Sequence, residues 1–237
     1  MALPINTTPI YTLVIPSTKE EIKYRPFLVK EEKALLIAQQ SDDEAVMINT
    51  LKAILKDCIK SKIDIEKLAM FDVEYIFAQV RAKSVGELVD LIFKCDTCED
   101  EKAKVKITFD LTKLEVQFPE GHQSQIELFD GVGLKMKYPD MNLLKKAKDT
   151  KADDVNQVFD VVVDCIDYIY TSEDIFHAKE QSRQELIQFI ENLTSDQFAK
   201  IQAFFETMPK LRQNVDYKCP VCSKEHHKYL EGINSFF

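Results

Sequence analysis

The sequence predicts an α+β protein. A small antiparallel β region is closed by a four-cysteine zinc clip, with helical segments before it and inserted within it. Three observations carry this. Cys95-Asp96-Thr97-Cys98 and Cys219-Pro220-Val221-Cys222 are C-x-x-C knuckles, and four thiolates from two knuckles make the tetrahedral shell of a structural zinc. Residues 87–138 are β-rich, with apolar and polar side chains alternating at period two over 102–109 and 132–138, as half-buried strands do. Residues 30–85 and 140–208 repeat at three- and four-residue spacing, as helices do. About 120 residues separate the knuckles, where a compact ribbon has about 15–20. A shared ion therefore clips the C-terminal tail onto the middle of the chain. The expected division is 1–86 as a β-ribbon plus helices, 87–138 with 211–237 as a β-rich, zinc-ribbon-like region, and 139–210 as a helical insertion.

Composition narrows the function. The 237 residues suffice for a real core. A net charge of −9 argues against nucleic-acid binding as the main task, because phosphate needs a cationic surface. Met1-Ala2-Leu3-Pro4 shows no basic n-region or apolar h-region, so no secretory signal is expected. No run of 18 apolar residues predicts a membrane span. Six cysteines in a chain of this size fit a reducing cytoplasm with a metal site better than a disulfide scaffold.

In chain order, Tyr11–Pro16 and Ile22–Arg25 read as two strands around the polar turn Ser17–Glu20, and Pro26 ends the second. Such a ribbon must pack on something else. From Lys30 the period is helical, with Leu35, Leu36 and Ile37 as the apolar part. Ser41, with Glu44 three residues on, is a capping signal for a helix whose stripe is Val46, Met47, Leu51, Ile54, Leu55, Cys58 and Ile59. Cys58 on that stripe reads as a small buried hydrophobe. Phe71–Val85 is a third helix, with Gly86 at its C-cap.

Glu87–Lys94 is a strand running into the first knuckle. Ala103, Val105, Ile107 and Phe109 alternate with Lys102, Lys104, Lys106 and Thr108, giving a strand with one basic face. That face invites phosphate, but lysines on a solvated strand also discourage edge aggregation. Leu114–Phe118 and Val132–Tyr138 are further strands, and 121–124 is a loop, so the middle reads as one small antiparallel sheet.

Asp140 caps the next helical stretch, and 148–154 is a charged break. Val155, Val158, Phe159, Val162, Cys165, Ile166 and Ile169 then predict a long amphipathic helix, widened by Val161, Val163, Tyr168 and Tyr170. It is either a core helix or a surface for a partner. Ser182 with Glu185 forms a capping box before Leu186, Phe189, Ile190 and Leu193. Ser195 begins the last helix, which Pro209 stops. Val215–Lys218 and Lys228–Glu231 flank the second knuckle as strands.

The candidate metal ligands are Cys95, Cys98, Cys219 and Cys222, with Zn2+ in a closed structural role. His226 and His227 lie near enough to replace one cysteine, or else stand outside the shell. A redox-active knuckle is the rival reading, but a thioredoxin-like C-x-x-C precedes a helix. No G-x-S-x-G, P-loop or H-E-x-x-H occurs, and His122 and His177 have no nominated nucleophile, so no enzyme is expected. Phe236-Phe237 either buries beside the clip or docks a partner.

Ile22–Lys33, followed by Leu35-Leu36 and Ser41-Asp42-Asp43, resembles the baseplate hub assembly proteins of T4-like contractile-tailed bacteriophages. Phe71–Glu87 running into a C-x-x-C, and a second C-x-x-C near a terminus ending in Phe, are similar to the same family. The likeness covers the N-terminal half and the tail. It implies a non-enzymatic late protein, a chaperone or minor hub subunit. Its partners would be hub or tape-measure proteins, and its place the host cytoplasm during assembly or the virion baseplate. A zinc-ribbon nucleic-acid or transcription-associated module is the alternative.

Overall fold

The computed structural model describes residues 7–41, 44–98, 101–143 and 155–232. The fold is α+β, with several small antiparallel sheets, and the chain forms two compact units. The first takes residues 1–65, 71–117 and 210–237; the second takes 66–70 and 118–209.

In the first unit, β1 (Tyr11–Val14) and β2 (Glu21–Tyr24) pair antiparallel as a two-stranded ribbon. Alternation buries Leu13, Ile22 and Tyr24, and Ile15 is buried just beyond β1. The ribbon is held at both ends. The Arg25 amide donates to the Cys58 carbonyl, and Lys60 N to Lys23 O. The buried Asp72 carboxylate accepts from both the amide and the hydroxyl of Ser17 in the turn. Three helices follow: α1 (Val29–Gln39), α2 (Glu44–Cys58) and α3 (Met70–Ser84). The start of α1 is fixed by Glu31, whose carboxylate takes the Leu28 amide at 2.7 Å and the Arg25 guanidinium at 2.7 Å. Gly86 follows α3 at φ +143, backbone open only to glycine.

Two β-hairpins complete this unit. β3 (Leu88–Lys94) pairs with β4 (Lys104–Asp110), and β10 (Lys210–Lys218) with β11 (Glu225–Glu231). The short strand β5 (Val116–Gln117) pairs with the start of β10. Val89, Leu111, Leu114, Leu211, Val215, Tyr217 and Leu230 bury together beside Ala78 and Ala82 of α3.

The second unit is a four-stranded sheet in the order β6-β7-β8-β9, covered by helices: β6 (Gln125–Phe129), β7 (Val132–Met136), β8 (Ile166–Tyr170) and β9 (Ile175–His177). Its helices are α4 (Val155–Asp164), α5 (Arg183–Glu191) and α6 (Ser195–Thr207). Leu128, Leu134, Met136, Ile166 and Ile169 meet Val162, Val163, Leu186, Ile190, Ile201 and Phe204 in one core. Arg183 ties α5 to α4 through Asp160 and Asp164. The Ser182–Glu185 capping box forms as expected, and Asp140 accepts from the amides of Asn142 and Leu143.

Several expectations need correction. Residues 155–170 are not one helix: α4 ends at Asp164 and 166–170 is a central strand. Val158, Val162, Ile166 and Ile169 keep helical spacing past the break, while Ile166, Tyr168 and Tyr170 fit strand spacing, so the two periods overlap there. Leu36 and Ile37 of α1 face solvent, as does Val46 of α2; Glu31, Leu35 and Ala38 are the buried side of α1. Strand β6 has no counterpart among the expected strands, although Asp130-Gly131 behind it is a hairpin signal and both residues take positive φ. The strands of the middle region join three sheets, not one. The Ser41–Glu44 cap, the 148–154 break and Phe236-Phe237 lie in whole or part outside the described residues.

Two stability predictions follow from this packing. Burial alone would raise the Glu31 pKa, but its bonds to Arg25, Leu28 and Lys30 outweigh that and hold it down at about 2. Because the folded pKa lies below the unfolded one, the stabilisation is complete above pH ~4.5 and lost as pH falls towards 2. Glu31→Ala leaves Arg25 buried without its partner and should cost about 3–5 kcal/mol in urea unfolding at pH 7. The wild-type advantage over that variant should shrink between pH 4.5 and 2. In the sheet, a Cβ on Gly133 would meet Ile126 O at 2.3 Å and the Tyr170 hydroxyl at 2.3 Å. Gly133→Ala should therefore destabilise by about 1–3 kcal/mol, with Tyr170→Ala relieving only part of it, because a backbone oxygen remains in the way.

Candidate metal centre

Both knuckles sit in hairpin loops of the first unit. Cys95 directly follows β3 and Cys219 directly follows β10, so each hairpin carries its first cysteine at the end of a strand and its second in the turn. Backbone bonds shape both turns. Cys95 N donates to Ala103 O, Cys219 N to Lys224 O, and Ser223 N to Cys219 O. Ser223, the residue after the second knuckle, takes φ +61 to close its turn. Neither knuckle precedes an α-helix: β4 follows the first and β11 the second, so the thioredoxin-like context is missing from both.

The two hairpins dock through aromatic side chains. The Tyr217 hydroxyl donates to the Lys94 carbonyl at 2.8 Å, and its ring lies 5.3 Å from that of Phe93. This brings Cys95, Cys98, Cys219 and Cys222 together, with all four sulfurs within 4.8 Å of one another. Cys95 and Cys222 are 3.7 Å apart, Cys98 and Cys219 4.0 Å. A tetrahedron with metal–sulfur bonds of about 2.3 Å has edges of about 3.8 Å. The donor set and its spacing therefore fit one thiolate-bound ion. Cys95 and Cys219 are buried, Cys98 is half-buried and Cys222 is exposed.

The surroundings polarise these thiols unequally. The Thr97 hydroxyl and amide, the Cys98 amide and His226 together hold Cys95 down at about 5. The sulfur of Cys222, with burial and the other two sulfurs, pushes Cys98 up to about 12. Four thiolates this close repel one another, and a divalent cation among them is what lets all four ionise.

Sequence proximity treated His226 and His227 alike, but the structure separates them. They are neighbours on β11 and so point to opposite faces. His226 is buried, with Nε2 3.2 Å from the Cys95 sulfur. His227 is exposed and bonds Asp216 at 2.7 Å, away from the cysteines. Asp96 and Lys228, paired at 2.9 Å across the two hairpins, escaped sequence reasoning. The signal was the period of β11, which sets His226, Lys228 and Leu230 on one face.

The other flagged residues lie elsewhere. Cys58 and Cys165 are fully buried, and Cys165 lies within the apolar core of the second unit. His122 bonds Thr207 and Tyr138 and packs on Phe204 in the second unit. His177 lies on β9 against Tyr168. The basic face of β4 is partly neutralised, since Lys106 pairs with Asp90 at 2.7 Å. Among the described residues no helix is long and apolar enough to cross a membrane.

No curated protein and no solved structure matches this chain. A family model described as T4 bacteriophage base plate protein matches residues 8–237. That span takes in both units, both hairpins and all four clustered cysteines. The chain belongs to the T4 bacteriophage base plate protein family.

Proposed function

We propose that the protein is a non-enzymatic assembly factor of the tail baseplate hub, a chaperone or minor hub subunit working through protein–protein contacts. Its partners on this reading are other hub or tape-measure proteins, met in the host cytoplasm or in the virion baseplate. The observation that carries it is the meeting of four sulfurs from two distant hairpins within 4.8 Å, in a chain matched by the family over 8–237. The metal on this reading is zinc, held by Cys95, Cys98, Cys219 and Cys222. Soft thiolates favour it, and four protein ligands leave no open position for substrate or water. Zinc so held supplies folding energy and no chemistry. The nucleic-acid reading draws little support from a β4 strand whose Lys106 is engaged by Asp90 in a chain of net charge −9.

Metal content tests the clip. The purified protein should carry one zinc per chain. Changing Cys219 and Cys222 to serine should remove the zinc and the cooperative unfolding transition of the first unit together. Zinc retained in that variant, or no metal in the wild type, would sink the shared site. Co-expression with the hub and tape-measure proteins of the same phage tests the assembly role. Co-purification with at least one of them is expected, and its failure with all of them counts against the reading. Val158, 52% exposed on α4, is the position at which substitution by Asp probes contact without disturbing the core; Val162 is buried and unsuitable.

A further inference from the structure

We infer that His226 is a positioning residue of the metal centre, donating its Nε2–H to the Cys95 sulfur, with the Tyr217 ring holding its plane. This rests on the reading that the four cysteines bind an ion. The side chain of His226 is only 4% exposed, and its Nε2 stands 3.2 Å from the Cys95 sulfur. A metal-bound thiolate has no proton to give, so the ring nitrogen is the donor. The ring is clamped flat on Tyr217, 4.8 Å between centroids and 13° between planes. Its other nitrogen, Nδ1, lies 3.6 Å from the Asp96 carboxylate, beyond hydrogen-bond reach, and that carboxylate pairs with Lys228 at 2.9 Å. Tyr217 in turn is tied to Lys94, next to Cys95, at 2.8 Å.

The arrangement suits a donor and not a ligand. Four sulfurs within 4.8 Å of one another already suffice for a tetrahedral ion, and the histidine reaches one of those sulfurs at 3.2 Å. Four thiolates around a divalent cation carry a surplus of negative charge. A donor aimed at one sulfur disperses part of it, orients that sulfur's lone pairs and slows loss of the ligand. His226 comes from β11 while Cys95 follows β3, so the bond also joins the two hairpins beside the metal.

Two substitutions separate the N–H from the ring. His226→Phe keeps an aromatic ring on Tyr217 and removes the donor; His226→Gln keeps an N–H at similar reach and removes the ring. Each variant and the wild type would be loaded with Co2+, and its absorption and its rate of loss to a chelator measured. The Phe variant should release cobalt about 10–100-fold faster. Its sulfur-to-metal charge-transfer band should move to longer wavelength, because the sulfur loses a hydrogen bond that stabilised its electrons. The Gln variant should stay close to wild type in both. Wild-type release and spectrum in the Phe variant would overturn the inference, as would equal losses in Phe and Gln. A wild-type spectrum of mixed nitrogen and sulfur ligation that becomes sulfur-only in the Phe variant would make His226 a ligand and overturn it too. A wild type that takes up no cobalt would instead defeat the four-cysteine reading on which this rests.

Discussion

Cys98 and Cys219 are 121 residues apart in the chain and 4.0 Å apart at their sulfurs, and the rest of the first unit depends on keeping them so. Closing a loop of about 100 residues costs roughly 4.7 kcal/mol of chain entropy in the simplest model. Four sulfurs in apposition add mutual repulsion to that cost. The hairpins meet part of it with their own contacts. Leu111, Val215, Tyr217 and Leu230 share a core, and the Tyr217 hydroxyl reaches the backbone beside Cys95. An ion bound by four thiolates would add more than these contacts can, since structural zinc sites contribute about 10–16 kcal/mol in small domains. Metal binding and hydrophobic docking would therefore be cooperative. The apolar contacts bring the loops close enough to share an ion, and an ion held there would convert sulfur repulsion into attraction.

The length of the excursion between the knuckles matters less than its ends. β5 pairs with the first residues of β10, Gln117 opposite Lys210 and Val116 opposite Leu211. The chain thus leaves the first unit and re-enters it on neighbouring strands. Once that pair forms, each doubling of the inserted length adds only about 0.6 kcal/mol of closure entropy. The second unit has its own sheet and its own core around Leu134, Ile166, Ile201 and Phe204, so it does not draw on the metal for its packing.

How much of this was legible in the sequence follows from which signals are local. The knuckles, the β3–β4 alternation and the Ser182–Glu185 cap involve neighbours within a few residues, and the structure has all three. Strand β8 was hidden because Ile166 and Ile169 continue the helical spacing of Val158 and Val162, and no Gly or Pro marks the break at Cys165. In α1 the exposed Leu36 and Ile37 outweighed the true inner face. There the buried Glu31 looked polar, and its partner Arg25 lies outside the helix. The grouping of the cysteines could be guessed from their type. The choice of His226 over His227 could not be made without the strand that sets them on opposite faces.

The six cysteines divide by chemistry as well as by place. Burial pushes Cys58 up to about 11 and Cys165 up to about 12, so both stay protonated and serve as small apolar side chains. In the cluster, hydroxyl, amide and imidazole donors hold Cys95 down, and a backbone amide does the same for Cys222. Donors arranged around sulfur stabilise thiolate, and thiolate is what a metal binds. A disulfide gains nothing from such donors, and it does not persist in a reducing compartment. Four thiolates around an ion would persist there, and they would join the distant hairpins as a cross-link does.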